Sequence, residues 1–464
     1  MKLTPLPLLA TGAVALVLPD PIGVNRAQAP VSFPPQPQHQ PKPHKEQSSS
    51  SWWDSVLPSS DSIAQAIDDS LDVFDAVNSG IDAVVHPVES IQQRFKDDLG
   101  TVVDAQGKGH HEFPDLTIYQ LLQRSNYTKK FAAIVDEHPD VVKLLNSTGS
   151  SNYTLFAPVD AAFEDLPPDH PKPDKDFIEA ALKYHIGLGE YRAHKILTTN
   201  TIPTAFDEKW LGGEPQRLRT SVGLSGVRVN FYSKVVAADI GAKNGVIHGI
   251  RNIVAPPPMI GRILTLFPSE FSTLLLAYEK TDFVKYIHHV KMTGSTVFAP
   301  SNRAFAALGP KANAFLFNTE RGLKCLKALL KYHIAANATL YSDAFYDKTG
   351  DDEDDDAYAG EWKREHYDLK SLLDGAHVGV DVAFFAGLTA IKVNGFANVH
   401  VRDAPGKNGV VQVIDKVLIP PRKHRPHDSA TAGDVSPEEL LERLKGYIDE
   451  SHETDESHPF DFEL

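Results

Sequence analysis

Thr154 to Phe163 reads TLFAPVDAAF, and Thr296 to Phe305 reads TVFAPSNRAF. Each copy predicts a short buried strand that turns at once into a helix. Leu155-Phe156 and Val297-Phe298 suit a strand interior. Pro158 and Pro300 end the ladder because they have no N–H to donate. Asp160 and Asn302 stand where a helix N-cap is expected. The flanking sequence repeats as well. Leu182-Lys183-Tyr184-His185-Ile186 returns as Leu330-Lys331-Tyr332-His333-Ile334, and Lys243-Asn244-Gly245-Val246, running on to Pro256-Pro257, returns as Lys407-Asn408-Gly409-Val410, running on to Pro420-Pro421. Three blocks recur in one order, so the chain holds a tandem domain duplication. The spacing between copies grows from 142 residues at Phe156/Phe298 to 148 at Tyr184/Tyr332 and 164 at Asn244/Asn408, which places most of the extra length of the second copy after its Tyr-His block.

The combination of Phe-Ala-Pro, a closing Ala-Phe, Tyr-His, and an Asn-Gly-Val strand ending in Pro-Pro resembles the fasciclin-type domain. Both copies fit, over 114–258 and 259–421. The resemblance implies an α+β fold in each copy, a compact β-sandwich or wedge with packed helices. It implies a role in adhesion, with the Tyr-His region (Tyr184, His185, Tyr332, His333) as a candidate interaction surface, whereas the apolar neighbours Leu182, Ile186, Leu330 and Ile334 read the same pairs as packed aromatics with hydrogen-bonded core imidazoles. The family's His after the Gly-Val pair is His248 in the first copy, whereas Gln412 stands there in the second.

A chain of 464 residues has room for two to four domains, and each repeat is long enough to bury a core. A formal charge of −15 argues against nucleic acid or an anionic membrane as the main partner. The single cysteine, Cys325, excludes an intramolecular disulfide; at helical spacing from Leu329 it reads as a small buried hydrophobe.

Taken in order, residues 1–29 read as a signal peptide: Met1-Lys2, an apolar run from Leu6 to Leu18, then Ala27-Gln28-Ala29. Residues 30–51, rich in Pro, Gln, His and Ser, predict a disordered stalk. Residues 52–113 predict a helical segment, with Ile63, Ile67, Leu71, Phe74 and Val77 on one face. In the first copy Asp115 is placed as the cap of a first helix, Phe131–Leu145 as one continuous helix, Phe177–Tyr184 as another, and Ile196-Leu197 as a strand. Asn244-Gly245 and Asn408-Gly409 predict positive-φ hairpin turns. The acidic run at 347–361 predicts a solvated loop insert. The tail, 422–464, predicts one short helix, Pro437–Ile448, and its end carries no apolar segment of the kind a glycolipid anchor needs. Sequons at Asn126, Asn146, Asn152 and Asn337 point to glycosylation in a secretory compartment, with the cell surface, wall or matrix, or a vacuolar lumen, as destinations.

The chemistry is sparse. There is no phosphate loop, no nucleophile elbow and no zinc motif, and the His pairs at 110–111 and 288–289 lack companions at ligand spacing. No cofactor, metal or catalytic residue is expected. The resulting expectation is a non-catalytic adhesion or interaction glycoprotein without a transmembrane anchor, meeting proteins or glycans. A carrier of a small apolar ligand in a domain crevice is the alternative, and a hydrolase using His185 a third reading.

Overall fold

The computed structural model describes residues 112–149, 151–164, 173–223, 226–347, 363–385, 388–421 and 435–448. The signal segment, the stalk, nearly all of the helical segment and of the acidic insert, and the basic and acidic parts of the tail lie outside the described residues. All described residues fall in one unit of the chain.

The first repeat begins with β1 (Glu112–Phe113) and three helices, α1 (Ile118–Arg124), α2 (Lys129–Asp136) and α3 (Pro139–Leu145). Then come β2 (Tyr153–Pro158), a 3-10 turn at Asp160–Phe163, α4 (Lys175–Tyr184), β3 (Ile186–Leu188) and α5 (Ala193–Ile196). The strands β4 (Thr201–Glu208), β5 (Glu214–Gly223), β6 (Gly226–Val229), β7 (Ser233–Ala242) and β8 (Gly245–Ile250) complete it. The sheet runs β1-β7-β6-β5-β4-β3-β2-β8, and β7 also pairs with β8, so the strands from β2 to β8 close on themselves. Side chains alternate across β2 with period two. Phe156 points into the closed sheet beside Ile202, Leu218 and Ile250. Leu155 and Ala157 point to the other layer, against Ile118, Phe131 and Leu145 of the helices. Phe156 and Leu155 are fully buried, which stabilises by about 2 kcal/mol each.

The second repeat follows with α6 (Ile260–Leu266), α7 (Pro268–Lys280), α8 (Phe283–His289), β9 (Ser295–Pro300), α9 (Asn302–Ala306), α10 (Pro310–Asn318), α11 (Glu320–Tyr332) and β10 (Ile334–Ala336). After it come β11 (Ala338–Tyr341), β12 (Ala344–Asp347), β13 (Lys363–Lys370), β14 (His377–Phe385), β15 (Leu388–Val393), β16 (Ala397–Gly406) and β17 (Gly409–Ile414). Its sheet runs β10-β9-β17-β16-β15-β14-β13, and β11–β12 form a separate hairpin. In both repeats the FAP strand pairs in parallel with the Asn-Gly-Val strand, β2 with β8 and β9 with β17. That shared pairing, with helices on the sheet's outer layer, makes each repeat the α+β unit expected. Much of the added length of the second copy lies between β10 and β13, where the β11–β12 hairpin occupies the place of α5.

Several local expectations are corrected. Thr117, not Asp115, caps α1, in a capping box with Gln120. Phe131–Leu145 is two helices, because Pro139 cannot continue the ladder and begins α3. Ile196 closes the short helix α5 instead of lying in a strand. Ser301, not Asn302, caps α9. Asp160 and Asn302 tie down helices that precede their strands. Asp160 accepts from the Lys130 N–H at the start of α2, and Asn302 accepts from the Thr273 N–H while donating to the Ser269 carbonyl of α7. The hairpin turns form as expected, with positive φ at Gly245 and Gly409. A Cβ on Gly245 would meet the Tyr153 carbonyl oxygen at 1.9 Å, and one on Gly409 the Ser295 carbonyl oxygen at 2.0 Å.

The tail helix is no appendage. α12 (Pro437–Ile448) buries Leu440 and Leu444 completely in the second repeat's core. Just before it, the Val435 N–H donates to the Leu308 carbonyl. The second structural unit therefore reaches beyond Pro421.

Candidate functional site

The Tyr-His block lies at the C-terminus of α4 and again of α11. The helix register carries the Tyr inward, and the chain then turns directly into β3 or β10. His185 Nδ1 donates to the Ala181 carbonyl at 2.7 Å, and Nε2 accepts from the Val254 N–H at 3.2 Å. His333 repeats this with the Leu329 carbonyl at 2.7 Å and the Leu418 N–H at 2.9 Å. Each imidazole thus clamps the end of its helix to the segment after the last strand of its repeat. Burial pushes both histidines down to a pKa of about 4, so they are neutral at physiological pH.

The tyrosines are spent in the same way. Tyr184 donates to the Arg217 carbonyl and accepts from Asn230 Nδ2; Tyr332 donates to the His377 carbonyl and accepts from Asn394 Nδ2. Burial raises both phenols far above their ordinary range. All four side chains are at most 3% exposed. The surface role that the resemblance implied has no exposed atoms at these residues to act through. The hydrolase reading fails at His185, whose two ring nitrogens are both engaged by main chain.

His248 and Gln412 turn out to be equivalent. His248 Nδ1 accepts from the Asp239 N–H and Nε2 bonds the Tyr191 carbonyl. Gln412 Oε1 accepts from the Asp403 N–H and Nε2 donates to the Leu340 carbonyl. Asp239 and Asp403 both have positive φ, at bulges where β7 and β16 shift register against their partners. The buried amide and the buried neutral imidazole present the same acceptor-donor pair.

The most elaborate polar cluster joins the two repeats, and repeat-by-repeat sequence reading missed it. Asp343, in the turn of the β11–β12 hairpin, accepts from the N–H groups of Asn200 and Thr201 at 3.0 and 2.7 Å and from the Thr201 hydroxyl. Arg217 of β5 lies 3.8 Å from Asp343, donates to Thr201 Oγ1 and to Tyr346 Oη, and sits over the rings of Tyr341 and Tyr346. Gln216 Nε2 donates to the Gly406 carbonyl, Arg219 Nε to the Arg402 carbonyl, the Gly294 N–H to the Trp210 carbonyl, and Asn200 Nδ2 to Thr389 Oγ1. Burial raises the Asp343 carboxyl above the ordinary carboxylate range, against the pull of Arg217. The signal available in sequence was an Asp and two aromatics in the hairpin found in the second copy alone.

Elsewhere, Cys325 is fully buried, and burial lifts its thiol to a pKa of about 11, which leaves it unreactive. Among the sequons, Asn126, Asn146 and Asn152 are exposed. Asn337 is half-buried at positive φ and accepts from the Thr293 N–H. Among the described residues no group of three or more His, Cys, Asp or Glu side chains could hold a metal, and no helix is long and apolar enough to cross a membrane.

The sequence profile of the Fasciclin domain matches residues 126–256 and 269–420. A Gibberella zeae protein named Aurofusarin biosynthesis cluster protein S is 28% identical over 74% of this chain and 88% of its own length. Stabilin-2 of Rattus norvegicus is 28% identical over 47% of this chain. The transforming growth factor-beta-induced protein ig-h3 of Oryctolagus cuniculus is 31% identical over 31% of it. The match covers 15% of that stabilin and 20% of ig-h3, so the chain parallels only a part of those animal proteins. Among solved structures, a FAS1 domain pair from the insect cell adhesion molecule Fasciclin I is 19% identical, covering 62% of this chain and 96% of that one, with a TM-score of 0.30.

Proposed function

The chain belongs to the fasciclin family, and from that premise we propose that it is a non-catalytic interaction glycoprotein, in which two domains act together on partners outside the cell or in a secretory lumen. The observation that carries this reading is how the motif residues are used. Both Tyr-His blocks, His248 and Gln412 are buried and spent on internal hydrogen bonds, so the distinctive residues hold the fold. Recognition then falls to the outer surfaces of the repeats. The partners in this reading are proteins or glycans of a cell surface, wall or matrix. Residues 1–29 direct the chain to the secretory pathway, and Asn126, Asn146, Asn152 and Asn337 are its glycosylation sites.

The test is expression of the tagged full chain in its own type of cell, with mass spectrometry of the N-terminus and the sequons, and adhesion of protein-coated beads to those cells. Removal of residues 1–29, glycans on the sequons and saturable adhesion are expected. A retained Met1 with all four asparagines bare, or beads that do not adhere, would overturn the reading.

A second reading, a carrier of a small apolar molecule in a domain crevice, is favoured by one observation. The relative matched over 88% of its length is named for a biosynthesis cluster. Solvent extraction and mass spectrometry of the purified native chain separates the two: a stoichiometric apolar molecule supports the carrier, and its absence supports the interaction module.

A further inference from the structure

Two residues of the first repeat have side chains where the second repeat has glycine, and they touch each other. Asn230 sits at φ 50° and accepts from the Arg219 N–H; Asn394 sits at φ 50° and accepts from the Gly379 N–H. Each asparagine also donates to its repeat's buried tyrosine, so the two turns are structurally equivalent. Arg219 thus takes the place of Gly379, and Phe231, at φ 69°, takes the place of Gly395, at φ 73°. Glycine is the natural occupant of a left-handed turn position, and a phenyl side chain there is strained. The second repeat shows that neither Arg219 nor Phe231 is needed to build the turn.

What the strain achieves is visible at the seam. Phe231 packs against the hydrophobic core of the second repeat, and the Arg219 guanidinium lies over its ring, 4.1 Å from the centroid. Arg219 is 7% exposed, and its Nη1 is buried without any hydrogen-bond partner. A buried charged N–H left unmade is costly, so its retention asks for an acceptor. Arg402 adds like charge nearby, and Asp403 opposes it in part. Arg219 Nε bonds the Arg402 carbonyl, and burial together with the Arg402 charge pulls the Arg219 pKa down to about 10.

The nearby carboxylates are already committed to other donors. Asp403 accepts from the Ser342 N–H and hydroxyl and from Gln412 Nε2. Asp343 is held by Asn200, Thr201 and Arg217. Arg402 donates to the Thr389 carbonyl and to Asn200 Oδ1 and is half-buried.

We infer that Arg219, propped on Phe231, and Arg402 form an oxyanion site between the two domains, taking a single carboxylate or sulfate group. A guanidinium pair suits such a group because its planar N–H forks match the spacing of two oxygens. Binding there would complete the unpaired Arg219 Nη1, offset the Arg219–Arg402 repulsion, and draw on both domains at once.

The probe is inorganic sulfate, measured by equilibrium dialysis with the intact chain at fixed ionic strength. Saturable binding of a single sulfate per chain is expected, displaced by methyl sulfate or by acetate. The double variant Arg219→Gly/Phe231→Gly installs what the second repeat carries at the same positions, so its turn is built from residues the fold already uses. Arg402→Gln leaves Arg219 and Phe231 in place. Both variants are expected to bind sulfate at least about tenfold more weakly, while the exposed Arg303→Gln binds as the parent does. Absence of saturable binding to the parent, unchanged binding in both variants, or failure of both competitors to displace sulfate would overturn the site.

Discussion

Burial holds the imidazoles of His185 and His333 at a pKa of about 4, against about 6.5 for a free histidine. Below pH 6.5 the unfolded chain takes up protons that the folded chain refuses, so stability falls as pH drops from about 6.5 towards about 4 and then levels off. Each histidine accounts for on the order of 3 kcal/mol of that loss. Melting temperature is expected to fall between pH 7 and pH 5, and His185→Gln and His333→Gln each to flatten the slope while lowering the pH 7 value. The glycines divide by cause. Gly245→Ala drives a Cβ into the Tyr153 carbonyl at φ 145° and is expected to cost more than about 4 kcal/mol. Gly375→Ala, at φ 70° with nothing within 4 Å, is expected to cost about 1 kcal/mol by chemical denaturation. At this scale some residues were legible as structure: Cys325 as a buried hydrophobe and Gly245 as a turn. Asn230 was not, because Phe231 follows it where the local turn signal has glycine, and the Asn394-Gly395 signal of the second copy went unread.

The elements were legible where a local rule had no competitor. The FAP strand, the helix leading to Tyr-His and the Asn-Gly hairpin all rest on apolar runs, periodicity or turn chemistry. The misplaced caps at Asp160 and Asn302 share one cause, a tertiary partner outbidding a local preference, whereas the Pro139 break and the Thr117–Gln120 capping box were local signals passed over. Asp160 and Asn302 look like caps for the helices that follow them and instead bind helices that precede their strands, which only the packing of α2 and α7 reveals. The tail helix was visible from its spacing but not its docking, since Leu440 and Leu444 read equally well as the apolar stripe of a free amphipathic helix. Leu444→Ala is expected to destabilise the second domain by about 3 kcal/mol, and truncation after Pro421 by more, read as an earlier unfolding transition. An unchanged transition after truncation would mean that α12 is not part of that core.

Between the domains, sequence reading recovered the duplication and lost the seam. A contact between Thr201 and Asp343 crosses 142 residues, and no periodicity reports it. Because Asp343, Arg217, Gln216 and Arg219 all bond across, the repeats are expected to behave as one body, which lets an interaction module present two surfaces at a fixed angle. Breaking a buried ion pair by removing one partner costs about 3 kcal/mol, so Asp343→Ala attacks that coupling without touching either core. The direct test is scanning calorimetry of the intact chain and of Asp343→Ala, each with a fluorescent reporter in both domains. The expected result is a single coupled transition seen by both reporters in the parent, split into separate transitions in Asp343→Ala. Two independent transitions in the parent, unmoved by the substitution, would contradict a two-domain unit held rigid at its seam.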